Sequence, residues 1–351
     1  MPNSQAKDLF TYRTRQDEAP GMHFKGQIAS SKFEMMLWRD GKSLRGNYFY
    51  IKSGSANSLD LRGKIDENGE FTIQEFDSAG KQTGEFTGAW KDDPNQSGVE
   101  LEGEWKKPSA KEGTSFWASE QMAAFTNGAK IATISTSETF KPKRLDVSAQ
   151  YPLLVGGGAN TVAFNELVKA KVAKEAGDFK KLMLAQTAAD LKFLPEGVNN
   201  YIDISFNVEY TDNDLISLSF LEGTFSGGAH GNANYFTVNY DLKNGKELKL
   251  ADLFKPGAKY LGAIAAYSLK DLQSRTEGSE NAGLAQDLWE DGAKPTAENY
   301  KSWNVTRKGL MFTFDPYQVG PYAAGSQFVI VPYAELKDLL KPDRMLIKMI
   351  K

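Results

Sequence analysis

The stretch Ser226-Gly227-Gly228-Ala229-His230-Gly231-Asn232 carries one of only two histidines in a chain of 351 residues. Three glycines around one imidazole let the backbone turn tightly and hold the ring at a sheet edge. Three roles fit it: a wide hairpin connection in which His230 makes one structural hydrogen bond, a recognition loop, or a catalytic base with Ser226 or Asp315 nearby. Against catalysis, a serine four residues before the histidine matches no triad signature, and nothing upstream resembles a nucleophile elbow. A second stretch, Asp315-Pro316-Tyr317-Gln318-Val319-Gly320-Pro321-Tyr322-Ala323-Ala324-Gly325, joins two strands. Its two Pro-Tyr pairs stiffen a connection that would otherwise be loose. Restrained tyrosines give contact area at low entropic cost, which suits protein or glycan recognition. The alternative is that they pack back on the sheet as a lid over the core.

Composition removes many other chemistries. With no cysteine there is no disulfide, zinc-thiolate cluster, iron-sulfur site or thiol nucleophile. His23 and His230 alone cannot build a multi-histidine metal centre. Asp203, Asp212, Asp214 and Asp241 sit at turn or exposed strand positions, where nothing pairs them as glycosidase carboxylates. There is no phosphate-binding glycine loop. No catalytic residue, metal or cofactor is therefore assigned. The 42 basic and 45 acidic residues give a net charge of −3 without a basic run, which argues against a nucleic-acid partner. No apolar window is long enough to span a bilayer.

The elements that must position the two loops follow from the hydrophobic pattern, which predicts an α+β chain. Residues 1–20 are polar and without period and read as a flexible linker. Residues 21–137 read as an all-β antiparallel meander or small barrel, with turns at Asp40-Gly41, Asn68-Gly69 and Ala79-Gly80. An apolar-x-Gly-x-apolar repeat recurs there at Gly46, Gly63, Gly88 and Gly103; these glycines relieve curvature in a small sheet or barrel, or line a ligand groove. Residues 138–351 read as an antiparallel sheet with packed helices, divided into a smaller part (138–195) and a main part (196–351). Phe164, Leu167, Val168 and Val172 form one helical stripe, and Leu261, Ile264, Ala265, Ser268 and Leu272 another. Ile202 to Tyr210, Ile216 to Phe220 and Phe236 to Leu242 alternate as strands. Residues 275–300 are polar and read as a mobile excursion.

The two loops in this order, together with Tyr240-Asp241-Leu242-Lys243-Asn244-Gly245-Lys246, Leu250-Ala251-Asp252-Leu253-Phe254 and Val331-Pro332-Tyr333, resemble the extracytoplasmic domain of RsiV-type lysozyme-sensing anti-sigma factors. The set is also similar to the non-catalytic N-terminal part of PdaC-type peptidoglycan deacetylases. The resemblance covers residues 140–340. It implies an α+β domain that binds rather than cuts. Carried over by motif, the candidate contact residues are Gly227, Gly228, His230, Gly231, Asn232, Asp315, Tyr317, Gly320, Tyr322 and Gly325. The family's transmembrane helix, sigma-binding segment and deacetylase domain have no counterpart here, so the meander of residues 21–137 sets the module in a different architecture.

The expected function is that of a non-catalytic binding protein of the bacterial envelope, periplasmic or extracellular, whose partner is a lysozyme-like muramidase or peptidoglycan. Two alternatives stand beside it: a cell-wall glycan or ester hydrolase using His230, and a structural or assembly protein of the envelope. The start Met1-Pro2-Asn3-Ser4-Gln5 has no signal-peptide pattern and reads as an arbitrary first residue on a polar linker. A lipoprotein whose anchoring cysteine lay upstream and a cysteine-free periplasmic protein fit this start equally.

Overall fold

A computed structural model describes residues 22–53, 57–92, 98–121, 125, 127, 129–275, 288–342 and 346. The linker expected at 1–20 lies outside them. Eight strands close a barrel: β1 (Met22–Ile28), β2 (Ser31–Asp40), β3 (Ser43–Tyr50), β4 (Leu59–Ile65), β5 (Glu70–Phe76), β6 (Gln82–Lys91), β7 (Glu100–Lys106) and β8 (Thr114–Gln121). Each is antiparallel to the next, and β8 returns to pair with β1. Alternation sends Phe24, Phe33, Tyr48, Phe71, Phe86 and Phe116 inward, so side chains fill the lumen. The buried Glu75 carboxylate within it accepts from the Tyr48 hydroxyl, Thr83 Oγ1 and Trp105 Nε1. The glycine repeat serves close approach between strands. Gly88 and Gly103 face each other across β6 and β7. A Cβ on either would lie 2.0 Å from a carbonyl oxygen of the other strand, that of Glu102 or Thr87.

A six-stranded sheet follows, built from β9 (Lys130–Phe140), β10 (Leu145–Val155), β11 (Asn200–Thr211), β12 (Leu215–Phe225), β13 (Asn232–Asp241) and β14 (Lys246–Glu247). Spatial order is β14-β13-β12-β11-β10-β9. The antiparallel sheet expected from the pattern is in fact mixed, because β10 and β11 run parallel from Leu145↔Asn200 to Ala149↔Ile204. Parallel neighbours need a long crossover. Helix α1 (Thr161–Leu184) and the short α2 (Ala188–Leu191) provide it. Phe164, Val168 and Val172 of α1 pack with Ile202, Ile204, Val238 and Tyr240 in one apolar core. Beyond Ile204, β11 continues beside β12 alone, so the edge that β10 has left is open to other partners.

The last layer is a three-stranded antiparallel sheet of β15 (Trp303–Val305), β16 (Gly309–Phe314) and β17 (Gln327–Pro332), with α3 (Tyr260–Ser274) and α4 (Tyr333–Leu336) sharing its core. Polar bonds tie it to the larger sheet: Asn239 Nδ2 donates to the Trp303 carbonyl at 2.8 Å, and Asn304 Nδ2 donates to Ser217 Oγ at 2.9 Å. Residues 288–300 do not form the expected excursion. Tyr300 is buried and its hydroxyl donates to the Ala293 carbonyl at 2.8 Å. Residues 276–287 of that stretch lie outside the described residues.

The outer face of β1 and β2 meets the larger sheet. The Lys32 ammonium donates to Asp203 at 2.8 Å, and Thr133 Oγ1 donates to Glu34 at 2.7 Å. His23 Nε2 lies 3.3 Å from the other Glu34 oxygen. Lys25 Nζ is buried in the same seam, 3.1 Å from the centre of the Phe206 ring. Burial alone would raise the Glu34 carboxyl. The bonds from His23 and Thr133 and the Lys25 charge outweigh it and hold the group down at about 2.

Candidate functional site

The loop after β12 and the loop after β16 form one surface. The His230 ring stacks on Tyr322, centroids 3.8 Å apart and planes 20° from parallel. Tyr317 leans on the other tyrosine at 5.6 Å. The Tyr322 hydroxyl donates to the Gly231 carbonyl at 2.6 Å, so one side chain bridges the loops by ring and by hydroxyl. His230 Nδ1 lies 2.9 Å from the same carbonyl oxygen, which assigns its proton to that nitrogen. Backbone geometry explains the glycines of the first loop: Gly227 and Gly228 have φ of +95° and +103°.

The second loop is anchored from beneath. Gln318 Nε2 donates to the carbonyls of Gly292 at 3.1 Å and Asn299 at 3.0 Å, and Val319 is buried in the core. These anchors hold Tyr317 at φ +69°, a left-handed conformation unfavourable for a tyrosine, with the side chain 53% exposed. A strained, solvent-facing aromatic on a pinned loop is arranged for contact. Asp315 opens the loop, and its Oδ1 accepts the Tyr235 backbone N–H at 2.8 Å. Burial pushes its carboxyl up. The neighbouring Glu222 carboxyl is also raised, first by burial and then by the negative charges of Glu175 and Asp315.

The structure thus brings His230, Gly231, Tyr317 and Tyr322 together, with Asp315 behind them. Gly228, Asn232 and Gly325 are exposed on the same loops. Gly320 is buried under its loop and presents no surface, because Val319 and Gly320 turn into the core. Two aromatics near this surface were not among the expected residues. Tyr201 is 39% exposed and stacks on Phe225 at 6.1 Å; a Cβ on Gly231 would come within 3.0 Å of its hydroxyl. Phe193 is 85% exposed on the loop after α2, which Arg144 ties down by donating to the carbonyls of Leu191, Leu194, Pro195 and Val198. The neighbouring Leu194 lies 3.6 Å from a Cβ built on Gly227. A signal for Tyr201 exists in the sequence, since it is the one aromatic on a strand face otherwise made of Asp203, Ser205, Asn207 and Glu209.

His230 Nδ1 faces a carbonyl where a catalytic relay would place a carboxylate, and the nearest loop carboxylate with a role, Asp315, is engaged by a backbone N–H. Among the described residues, no three His, Asp or Glu side chains converge as a metal site. No helix among them is long and apolar enough to cross a membrane.

Comparison with known proteins puts the two loops in separate matched segments. Residues 138–233 match the family model described as "Deacetylase PdaC", and residues 251–334 match "Protein of unknown function (DUF3298)". Peptidoglycan-N-acetylmuramic acid deacetylase PdaC of Bacillus subtilis (strain 168) is 28% identical over 144 residues, covering 40% of this chain and 30% of that protein. The match therefore spans less than a third of the relative's length. A solved DUF3298 structure from Bacteroides fragilis NCTC 9343 covers 64% of this chain and 98% of its own, at 20% identity and a TM-score of 0.49. Another, from Pseudomonas aeruginosa PAO1, covers 61% and 94%, at 15% identity and a TM-score of 0.46. The His230 loop lies in the segment similar to the PdaC deacetylase family and the Tyr317–Tyr322 loop in the segment similar to DUF3298, so residues 138–334 resemble those two families in succession.

Proposed function

We propose that this chain is a non-catalytic binding protein of the bacterial envelope, and that the surface around the His230–Tyr322 stack recognises a lysozyme-like muramidase, in the manner of RsiV-type sensors, or peptidoglycan itself. One observation carries the reading: the two loops are locked together by that stack and its hydroxyl bond, and leave Tyr317 exposed in a strained conformation. Exposed, pre-organised aromatics are the anchors of recognition surfaces. The cell-wall substrate in the name of the Bacillus subtilis relative supports an envelope setting, and with it a periplasmic or extracellular location.

The test is titration of the full chain with chicken-type lysozyme, alongside co-sedimentation with purified sacculi. Saturable binding of either probe at micromolar concentration, weakened at least about tenfold by Tyr317→Ala and by Tyr322→Ala, is the expected result. Absence of both complexes at about 100 μM would refute it. Turnover of sacculi that disappears in His230→Ala would establish the hydrolase instead.

A further inference from the structure

One end of the molecule exposes apolar side chains from two consecutive segments, the last turn of α1 and the stretch through α2 to β11. Leu182 is 63% exposed, Phe193 85% and Val198 37%, and Ala188, Ala189 and Pro195 face out between them. A single exposed apolar residue is ordinary, whereas a cluster of them marks a contact surface.

The cluster stands on a rigid base. The Arg144 guanidinium donates to the carbonyls of Leu191, Leu194, Pro195 and Val198. Lys143 Nζ donates to the Gln186 carbonyl at 2.7 Å, and Asn200 Nδ2 donates to the Gln186 side chain at 2.7 Å. A capping box between Thr187 and Asp190 opens α2. With its backbone held at four points, the loop buries Leu194 and keeps the neighbouring Phe193 in solvent.

Charge frames the same end. Lys141, Lys181 and Lys192 are exposed. Lys143 and Arg144 give these hydrogen bonds to carbonyl oxygens, which leave both positive charges standing. Against these five cations stand three acids, Asp146, Asp190 and Glu196, while Lys180 and Glu138 pair with each other. The end is thus positive in a chain whose net charge is −3.

An occupant that suits this end is apolar in depth and anionic at its rim. A soluble polyanion offers charge without an apolar phase. A bilayer with anionic headgroups offers both layers, since apolar side chains reach the acyl boundary while lysine stems snorkel to the headgroups. Each lysine near such a surface strengthens binding about fivefold.

We propose that this end of the molecule docks on an anionic lipid surface, with Phe193 and Leu182 reaching the acyl boundary and Lys141, Lys181 and Lys192 meeting the headgroups. The contact is peripheral, and it does not rest on the role proposed for the His230–Tyr322 surface.

The experiment titrates the full chain with vesicles of equal parts phosphatidylglycerol and phosphatidylcholine, and with vesicles of phosphatidylcholine alone, reading bound protein by flotation. Saturable binding to the anionic vesicles below about 1 mM lipid is expected, at least about tenfold weaker on the neutral ones. Phe193→Ser should weaken it about fivefold, and Lys181→Glu combined with Lys192→Glu at least about tenfold, with the thermal melt of each variant unchanged. Because the chain has no cysteine, Phe193→Cys and Val162→Cys each accept a single environment-sensitive label. Val162 is exposed at the other end of α1, about 30 Å from Leu182. The label at the Phe193 position should shift to shorter wavelength with anionic vesicles, and the label at the Val162 position should not. The proposal is overturned by no binding up to about 5 mM lipid, by equal binding to both vesicles, by wild-type binding in folded Phe193→Ser, or by equal shifts of the two labels. Lysozyme binding that Phe193→Ser abolishes, without vesicle binding, would also overturn it and assign the ring to a protein interface. The vesicle assays contain no lysozyme, so either reading can fail while the other stands.

Discussion

Lys25→Met should make the protein more stable, and the gain should fade as the pH rises. In the folded chain the amine sits at about 7 against an ordinary 10.5. At about 1.4 kcal/mol per unit, the cost of burying its charge is at most about 5 kcal/mol. Relaxation around a buried charge lowers such penalties, so about 2 kcal/mol is the working figure. Methionine keeps the length of the stem and its sulfur packs on Phe206. Glu34 retains the bonds from His23 and Thr133 that hold its carboxyl low. The folded pKa lies below the unfolded one, so between about pH 7 and 10.5 the unfolded wild type binds more protons and wild-type stability rises with pH. Below about 7 both states are protonated and the penalty is constant. Urea unfolding of both proteins at about pH 6, 8 and 10 reads the difference. A variant less stable than wild type at pH 6, or a difference that does not shrink toward pH 10, would refute the reasoning.

Glu34 works in the opposite direction: its folded carboxyl is depressed from 4.5 to about 2, so its contribution is complete above 4.5 and is lost as the pH falls toward 2. Acid titration of unfolding free energy should show a shallower loss over that interval in Glu34→Gln. Gly88→Ala places a Cβ 2.0 Å from the Glu102 carbonyl oxygen and should cost about 2–4 kcal/mol, read from the urea midpoint. Tyr322→Phe removes the 2.6 Å bond to Gly231 and should cost about 1 kcal/mol while speeding amide exchange in residues 227–232. Unchanged exchange there would mean that the stack alone holds the loops together.

Much of this architecture is written in local pattern. The alternation from Ile202 to Tyr210 and the stripe from Phe164 to Val172 fall on β11 and α1, and the glycine repeat lies where barrel strands approach closely. Barrel closure is not local: β1 pairs with β8, Phe24 opposite Glu120, and no short-range signal joins residues so far apart. Nor is the parallel pairing of β10 and β11, since one buried face alternates alike in either direction. The two loops could be read because glycine, proline and tyrosine are unusual in combination. The buried seam could not. His23 and Lys25 alternate with Phe24 and Gly26 as solvated residues would, and only the docked sheet makes them buried. Gly320 shows the converse, a loop glycine that lies inside because its neighbours anchor the loop.

The seam also has an order in time. As the chain emerges from its N-terminus, every strand of the barrel is available once Gln121 has been made, while β11, which covers Lys25, begins only at Asn200. Until then the Lys25 amine stands in water, protonated and at no energetic cost. Its desolvation belongs to the later step in which the sheet settles on the barrel wall. A nascent barrel therefore passes through a stage in which its outer face is wetter and more basic than in the finished molecule, and covering Lys25 with β11 draws its amine toward the uncharged form.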